Sequence, residues 1–351
     1  DRLYYIVLKM YLKSIEWLGD KIRIIDQTLL PEKLVYKDLK SLDDVIEAIK
    51  SMRVRGAPLL GVMGALGLAL VAIKLKGKRK DEIVNELRLA SEKLKMARPT
   101  AVNLSWGVNE VLEAVNKSTD PIKAAIDTAI KIMNEDIEVN RKIADVGQEI
   151  INDGDVILTH CNTGSLATVS IGTALGIIIH AYKLGKKVHV YFTETRPLLQ
   201  GSRLTAFELI NAGVPATLIC DTAVGHVLQV KGVNKIIVGA DRILADGTTY
   251  NKIGTFQIAV LAKEMGIPFY VAAPTSTFDL RSTEEDVIIE ERSHDEVKYI
   301  CGKLIAPKEI KVYNPAFDKT PGRYITAFIT EKGVIYPPYE ENIKRILLRN
   351  K

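Results

Sequence analysis

Cysteine is scarce in this sequence. The 351 residues contain three cysteines, and their wide spacing fits neither a disulfide framework nor a zinc-ligand pattern. The five histidines are scattered, without a His-x-His or His-Glu-x-x-His pattern. His160 and Cys161 are adjacent in an extended segment, so their side chains should point to opposite sides and cannot chelate one metal together. These absences predict a cytoplasmic protein without a bound metal.

Motifs for nucleotides, nucleic acids and membranes are also missing. There is no Gly-x-Gly-x-x-Gly and no Gly-x-x-x-x-Gly-Lys-[Ser/Thr], so no dinucleotide or nucleoside triphosphate site is predicted. The net charge of +5 is mild, and no block alternates basic with aromatic residues as nucleic-acid faces do. The uncharged stretch Ala57 to Ile73 contains three glycines and is short for a membrane span. The N-terminus lacks an apolar signal segment with a small-residue cleavage site. We therefore expect a soluble protein without a nucleic-acid or membrane partner.

The chain divides into two patterns. Up to about Pro31, short strands are expected, including one from Ile22 to Gln27. From Ser41 the pattern is helical, and Ser41 together with Asp44 resembles a capping box at the start of a helix. Predicted helices cover 57–73, 81–96 and about 109–115, with an interruption at 97–104. After Pro121 a long helix is expected from about Ile122 to Asp153, bent at Gly147.

Beyond that helix, apolar strand-like runs alternate with helices. The predicted strands are 156–159, 188–192, 216–220, 235–238 and 268–273, and the predicted helices are 165–182, 203–211, 222–229 and 254–265. Alternation of this kind specifies a parallel sheet with helices on both faces. The predicted fold is α/β, with a mainly helical N-terminal domain that has a few short strands (1–121) and a C-terminal domain built on the parallel sheet (122–351).

Chemically useful side chains follow the predicted strands. In such sheets ligands bind beyond the carboxyl ends of the strands. Cys161 lies there, before a predicted helix whose N-terminus favours an anion, so it can act as a thiolate; alternatively it is a small buried hydrophobe. Asp241 follows the apolar run 236–240, where partial burial would let it serve as a general acid; alternatively it is a capping or turn aspartate.

Other segments suit a phosphate or sugar hydroxyls. Arg55-Gly56-Ala57-Pro58 forms a helix start with an arginine beside it, which can bind an anion or simply begin a helix. Gln200 with Gly201, and Asn251 with Lys252, provide amides and an amine near helix starts, although such residues also occur in surface turns. A thiol, an acid and two phosphate-binding segments together imply a small phosphorylated polyol as substrate.

Seven segments carry a resemblance to a known family. They are Arg55–Pro58, Ala97–Leu104, His160–Gly164, Glu194–Gly201, Val238–Arg242, Asn251–Thr255 and Asn314–Asp318. Together they resemble the methylthioribose-1-phosphate isomerases of methionine salvage. Because the segments run from the N-terminal region to near the C-terminus, the resemblance covers almost the whole chain. That family shares its fold with ribose-1,5-bisphosphate isomerases and with regulatory subunits of translation initiation factor 2B. Residues 26–31 and 98–103 favour the methylthioribose branch.

The resemblance implies a homodimer whose C-terminal domain is Rossmann-like, with no redox cofactor or metal. It implies that Asp241 is the proton donor and that Cys161 assists the transition state. The residues it implies in substrate binding are Arg55, Gly56, Ala57, Arg98, Thr163, Gly164, Gln200, Asn251 and Lys252. The open alternatives are a ribose-1,5-bisphosphate isomerase and a noncatalytic regulatory sensor that assembles with translation-factor subunits. Cys161 and Asp241 favour an enzyme, because a sensor would need neither.

Overall fold

The computed structural model describes residues 11–348. The N-terminal stretch in which the sequence shows no signal segment lies mostly outside these residues. Among the described residues, no helix combines the length and the apolar character that crossing a membrane requires. The chain forms two compact units, one containing residues up to Arg141 together with Gly164–Gly172, the other containing Lys142–Thr163 and the residues from Thr173 onward. The predicted domain boundary after residue 121 stays a prediction.

The first unit begins with a three-stranded antiparallel sheet. Its strands are β1 (Ile15–Trp17), β2 (Ile22–Ile25) and β3 (Tyr36–Leu39). The strand β2 ends two residues before the predicted position. Asp26 caps a 3-10 turn there, accepting the backbone N–H of Thr28 at 3.1 Å.

Five helices follow: α1 (Leu42–Lys50), α2 (Ala57–Ile73), α3 (Lys80–Ala97), α4 (Val102–Lys117) and α5 (Pro121–Gln148). The N-cap prediction for Ser41 is confirmed, since its hydroxyl accepts the Asp44 N–H at 3.1 Å. The helix α2 is buried over most of its length. It approaches α4 so closely that a Cβ on Gly107 would lie 2.0 Å from the Gly61 carbonyl oxygen, which explains small residues at both positions.

The second unit contains a seven-stranded sheet with the order β16-β15-β10-β7-β4-β5-β6. Its strands are β4 (Val156–Thr159), β5 (His189–Thr193), β6 (Ala216–Ile219), β7 (Lys235–Val238), β10 (Phe269–Ala272), β15 (Ala327–Thr330) and β16 (Gly333–Ile335). Every neighbouring pair is parallel except β15 with β16. The predicted parallel sheet is therefore confirmed, and β4 and β7 have the predicted bounds.

Smaller elements complete this unit. A second sheet has the order β11-β8-β9-β14, with β8 (Arg242–Leu244), β9 (Thr249–Lys252), β11 (Phe278–Asp279) and β14 (Phe317–Thr320), and a hairpin pairs β12 (Tyr299–Ile300) with β13 (Lys303–Leu304). The helices are α6 (Ala174–Lys183), α7 (Ala206–Ala212), α8 (Val224–Val230), α9 (Thr255–Glu264), α10 (Asp295–Lys298) and α11 (Tyr339–Leu348).

The predicted helix from 165 to 182 is wrong in its first half. Residues 165–167 form one 3-10 turn, and α6 begins only at Ala174. The residues between are buried in the first unit, where the Val169 N–H donates to the Asp136 carboxylate at 2.8 Å. The apolar character of this segment therefore reflects burial rather than helical periodicity. The long helix α5 likewise ends at Gln148, instead of bending at Gly147 and continuing.

Candidate functional site

The strand order of the large sheet reverses between β4 and β7. From β4 the chain proceeds through β5 to β6 on one side, and then continues at β7 on the other side of β4. Ligands of open parallel sheets bind at such a reversal, beyond the carboxyl ends of the strands. Cys161 follows β4 by two residues and Asp241 follows β7 by three. The predicted thiol and acid thus lie after the two strands that flank the reversal.

Cys161 is held in an unusual backbone conformation. Its φ is 60°, in the left-handed region, and its side chain is largely buried. Its N–H donates to the Thr195 hydroxyl at 3.0 Å, and its carbonyl accepts from the Thr205 hydroxyl at 2.6 Å. Only a 3-10 turn follows Cys161 before the next α-helix begins at Ala174, so the sequence argument from a helix N-terminus at Cys161 is wrong. What fixes the thiol is a set of side-chain hydrogen bonds to its own backbone.

The Thr195 loop is itself anchored. Thr195 has φ 63°, and the Asp221 carboxylate accepts the N–H groups of Thr195 at 2.9 Å and Arg196 at 2.7 Å. Asp221 had no role assigned from the sequence. In the structure its carboxylate holds the loop after β5 in the shape that presents the Thr195 hydroxyl to Cys161.

The residues after Cys161 connect it to the end of β7. Asn162 donates to the buried Glu208 carboxylate at 2.7 Å. The Thr163 hydroxyl accepts the Leu175 N–H at 3.1 Å, in the first turn of α6. A Cβ on Gly239 would lie 2.6 Å from the Thr163 methyl carbon, so the Cys161 loop touches the segment that leads to Asp241. Gly164 lies in the first unit and bridges to Gly172.

Asp241 begins a hairpin that also carries Asn251 and Lys252. Its N–H donates to the Tyr250 carbonyl at 2.9 Å, and Arg242 pairs with Tyr250 across β8 and β9. In this antiparallel register Asp241 is aligned with Asn251, so the hairpin brings together the proposed acid and a proposed substrate-binding amide. The Asn251 amide donates to the Thr255 hydroxyl at 3.0 Å, and the Lys252 ammonium lies 4.7 Å from the Phe317 ring centroid.

The sequence did not assign a role to Asp318, although it lies in one of the resembling segments. Its carboxylate accepts the N–H groups of Gly254 at 2.8 Å and Phe256 at 3.2 Å, at the start of α9. Burial raises the pKa of this carboxyl to about 6, against the opposing effect of the two N–H groups. Asp318 thus occupies these two donors at the start of α9.

Gln200 supplies a buried polar atom. The side chain is 6% exposed, and among the described residues its Oε1 has no hydrogen-bond partner. The next residue, Gly201, begins a π-type turn, and a Cβ there would lie 1.7 Å from the Thr193 carbonyl oxygen. Leu199 has φ 60°. A buried unpaired amide oxygen costs free energy unless a ligand donates to it, which is consistent with a role in binding hydroxyls.

The remaining predicted residues belong to the first unit. Gly56 is the N-cap of α2, Ala57 its first residue and Arg55 immediately precedes them. Gly56 has φ 104°, and a Cβ on it would lie 2.6 Å from the backbone of Ala167. Arg98 is the C-cap of α3. The predicted interruption at 97–104 is confirmed only in part, because the gap between α3 and α4 covers residues 98–101. The helix α4 begins at Val102, seven residues before the predicted start near 109.

Within the described part of the chain, no group of three or more His, Cys, Asp or Glu side chains is arranged to hold a metal ion. His160 and Cys161 are adjacent in sequence, but both ring nitrogens of His160 form hydrogen bonds to other residues. The candidate side chains at the carboxyl edge are thus a thiol, an acid, two amides and an ammonium.

Comparison with known proteins gives a consistent picture. The model of the initiation factor 2 subunit family matches residues 53–337. A methylthioribose-1-phosphate isomerase 2 from Pseudothermotoga lettingae is 47% identical over 95% of this chain and 98% of that protein. The structure of 5-methylthioribose 1-phosphate isomerase from Pyrococcus horikoshii is 43% identical, covers 96% of each chain and superimposes with a TM-score of 0.89.

A third similar protein carries a different functional name. A solved structure described as translation initiation factor eIF-2B, subunit delta, from A. fulgidus is 48% identical, covers 96% of this chain and 99% of that chain, and has a TM-score of 0.86. Proteins with two functional names thus resemble this chain along nearly its whole length. The choice between an enzyme and an assembly subunit depends on the chemistry of the candidate site.

Proposed function

The chain belongs to the initiation factor 2 subunit family, and within it we propose that this protein is an isomerase that converts 5-methylthioribose 1-phosphate into 5-methylthioribulose 1-phosphate in methionine salvage. The observation that carries the proposal is the placement of Cys161 and Asp241 after β4 and β7, the adjacent strands at which the sheet order reverses. The names of the relatives at 47% and 43% identity support the same substrate.

The chemistry requires an acid because the sugar ring must be opened. In an aldose 1-phosphate the anomeric oxygen is esterified, so the ring cannot open by losing a hydroxyl proton. We assign Asp241 to protonate the ring oxygen, after which the bond from that oxygen to carbon 1 breaks and carbon 1 becomes electron-poor. The proton supplied by Asp241 stays on that oxygen, which becomes the hydroxyl group on carbon 4 of the open chain.

The second step transfers hydrogen from carbon 2 to carbon 1. In the proton-transfer route a base removes the proton at carbon 2, an enol forms between carbons 1 and 2, and reprotonation at carbon 1 with loss of the hydroxyl proton gives the ketone. Cys161 as thiolate is the assigned base. If a hydride moves directly instead, Cys161 stabilises the developing charge. Either route leaves the overall composition unchanged and requires no external redox agent.

The phosphate and hydroxyl groups of the substrate need donors and acceptors. We assign this role to Arg55, Gly56, Ala57, Arg98, Thr163, Gly164, Gln200, Asn251 and Lys252. The unpartnered Oε1 of Gln200 supports its assignment, and the alignment of Asn251 with Asp241 across the hairpin supports the position of the amide. Binding energy from the nonreacting phosphate would position the reacting carbons.

Turnover of the purified protein tests the proposal. The protein is incubated with methylthioribose 1-phosphate, and formation of the ketose is followed by a carbonyl assay. We expect turnover that saturates with substrate. Absence of turnover together with tight binding to a translation initiation factor subunit would instead assign the function named for the A. fulgidus structure.

We also propose that the protein is a cytoplasmic homodimer and that its second unit is a Rossmann-like domain. The seven-stranded sheet with its reversal at β4 and β7 supports the latter, and the scarcity of cysteine supports a reducing compartment. Light scattering on the eluting peak of a size-exclusion column should give twice the chain mass of 38.9 kDa. A peak at the chain mass would show a monomer.

A further inference from the structure

His160 connects three loops that each carry a residue of the proposed site. Its imidazole is 1% exposed. The Nδ1 atom lies 2.6 Å from the Thr193 hydroxyl, at the end of β5, and the Nε2 atom lies 2.8 Å from the Ile253 carbonyl, in the turn between β9 and α9. The third loop is its own, in which Cys161 is the next residue.

The hydrogen bonds fix the form of the ring. A carbonyl oxygen can only accept, so Nε2 carries the proton and donates to Ile253, while Nδ1 accepts from the Thr193 hydroxyl. Burial lowers the pKa of His160, in agreement with a neutral imidazole. The proton at Nε2 and the lone pair at Nδ1 are both used, so His160 is not a free acid or base.

From Thr193 the connection continues to Cys161. The hydroxyls of Thr193 and Thr195 are 3.2 Å apart, and the Thr195 hydroxyl accepts the Cys161 N–H at 3.0 Å. Cys161 has the left-handed φ of 60°, a conformation that persists only when surrounding contacts impose it. The chain of hydrogen bonds from His160 through the two threonines supplies such contacts.

The other ring nitrogen, Nε2, bonds to the turn between β9 and α9. Ile253 follows Lys252, so a hydrogen bond to its carbonyl fixes the backbone directly after the proposed substrate-binding amine. Gly254 has φ 104°, and a Cβ there would lie 3.0 Å from the Cε1 atom and 3.1 Å from the Nε2 atom of His160. The turn is therefore shaped to admit the imidazole.

We propose that His160 is a positioning residue that acts in two directions. It sets the Cys161 backbone through Thr193 and Thr195, and it sets the turn directly after Asn251 and Lys252 through the Ile253 carbonyl. The catalytic meaning of this arrangement rests on the proposed isomerase function. The effect of His160 on the Cys161 loop can be measured without turnover. No hydrogen bond in this network involves the first unit.

Two substitutions each remove one of the two imidazole hydrogen bonds and keep the other. In His160→Asn the amide oxygen takes the place of Nδ1 and keeps the Thr193 bond, while the Ile253 bond is lost. In His160→Gln the longer side chain places an N–H near the position of Nε2 and keeps the Ile253 bond, while the Thr193 bond is lost. A merely structural histidine would give both variants the same kinetic defect.

We expect His160→Asn to raise KM about 10-fold with kcat within about 3-fold, because the turn that follows the proposed substrate-binding residues Asn251 and Lys252 is released. We expect His160→Gln to lower kcat about 10-fold with KM within about 3-fold, because the thiol loop is released. The matched control is His189→Gln, since His189 also bonds a threonine, Thr217, at 2.8 Å but begins β5 at the other edge of the sheet. Its kinetics should equal those of the wild type.

A second readout follows the loop without activity. The alkylation rate of Cys161 is measured by peptide mass spectrometry, with the exposed Cys220 and Cys301 as internal standards. His160→Gln should raise the Cys161 rate at least about 5-fold and leave the standards unchanged, whereas His160→Asn should leave all three unchanged. If His160→Gln does not fold, Thr195→Val replaces it, with the same expected kcat loss and faster Cys161 alkylation.

The outcomes distinguish the two proposals. Equal defects in both His160 variants, or a lowered melting temperature with an unchanged Cys161 alkylation rate, would overturn the positioning role while the isomerase function stands. A wild-type protein that does not turn over the sugar phosphate would overturn the function. The alkylation rates would then still decide whether His160 sets the Cys161 loop.

Discussion

Cys161 adopts a backbone conformation that a non-glycine residue rarely accepts, with φ 60°. Thr195 and Leu199, in the neighbouring loop, have φ 63° and 60°. Such conformations cost free energy and concentrate at functional sites. Three of them lie in the two loops that follow β4 and β5, which is consistent with the placement of the reaction at this edge of the sheet.

The first prediction concerns the thiol and the acid. Cys161→Ser and Asp241→Asn should each lower kcat by at least about 100-fold, because each removes a group that we assign to proton transfer or charge stabilisation in the reaction. Both swaps conserve volume, so the free energy of unfolding should change by about 1 kcal/mol or less. Steady-state kinetics and thermal melting measure the two effects.

Cys220→Ser is the matched control, since Cys220 is exposed and follows β6, outside the assigned site. It should keep wild-type turnover. A large drop in melting temperature for Cys161→Ser or Asp241→Asn would make that residue structural. Activity above a few per cent of wild type would remove it from the mechanism.

Asp136 gives a pH-dependent prediction. The residue is partly exposed, but its carboxyl is deeply buried, and burial raises the pKa of this group to about 7 while the Val169 N–H opposes the rise. An acid whose pKa is higher in the folded chain than its ordinary value of about 3.9 favours folding at low pH, and this contribution is lost as the pH rises through about 7. The folded protein therefore becomes less stable across this range on account of Asp136.

Asp136→Asn should remove that loss. Its amide oxygen can still accept the Val169 N–H, so relative to the wild type the variant should gain stability between pH 4 and pH 8, on the order of 3 kcal/mol. Urea unfolding at the two pH values measures the difference. Asp127→Asn is the control on the same helix, because its carboxylate is exposed. Parallel pH curves for wild type and Asp136→Asn would contradict the assignment.

At the scale of elements, the turn before α7 depends on a residue without a side chain. A Cβ on Gly201 would lie 1.7 Å from the Thr193 carbonyl oxygen, and that oxygen belongs to backbone at the end of β5. Backbone at a strand end cannot move aside without disturbing the sheet. The π-type turn Gly201–Thr205 is therefore compatible only with glycine at its first position.

Gly201→Ala should destabilise the protein by about 2 kcal/mol or more through this clash, and should also lower activity because Gln200 and Thr205 lie beside it. Gly225→Ala provides the contrast. Gly225 is inside α8, and a Cβ there would meet only the Leu261 methyl carbons at 3.7 and 3.9 Å. That variant should be neutral or more stable by up to about 1 kcal/mol, because alanine favours helix. Chemical denaturation measures the free energy of unfolding of both variants. Equal values would contradict the steric account.

The sequence predicted some elements better than others for a physical reason. The strands β4 and β7 were predicted with correct bounds because a central parallel strand is buried on both faces and reads as a short apolar run. The same apolar character misled the prediction at residues 165–182. Periodicity cannot distinguish a buried helix from an irregular segment buried against another part of the chain.

The candidate site was predictable only in part. Cys161 and Asp241 were found because each follows a recognisable strand, and strand ends converge in a parallel sheet. The supports of Cys161 were not found, since Thr195 and Thr205 are 34 and 44 positions away along the chain. Asp318 was quoted in a resembling segment without a role, because only the β9–β14 pairing brings it to the start of α9.

At the scale of the whole molecule, the choice of substrate can be predicted. A methylthio group at carbon 5 needs an apolar pocket, whereas a second phosphate needs a further arginine or lysine. The basic residues assigned to the substrate are Arg55, Arg98 and Lys252, which suffice for one phosphate. We expect kcat/KM for methylthioribose 1-phosphate to exceed that for ribose 1,5-bisphosphate at least about 100-fold.

The kcat/KM values for the two sugars are measured under one set of conditions. Inorganic phosphate is added as a competitor, and its inhibition of each reaction compares how the two sugars occupy the shared phosphate position. Comparable values, or a preference for the bisphosphate, would place this chain with the bisphosphate isomerases. Turnover of neither sugar would favour the noncatalytic subunit.

The segment Gly164–Gly172 has a consequence for the order in which the chain can fold on the ribosome. It belongs to the first unit, where the Ser165 carbonyl accepts from the Ser14 hydroxyl at 2.6 Å and the Leu166 carbonyl accepts from the Gln27 amide at 2.7 Å. Ala167 fills the space left by the missing side chain of Gly56. A nascent chain that ends at Arg141 therefore lacks the partners of Ser14, Gln27 and Gly56. The first unit can therefore be completed only after β4, the first strand of the second unit, has been synthesised.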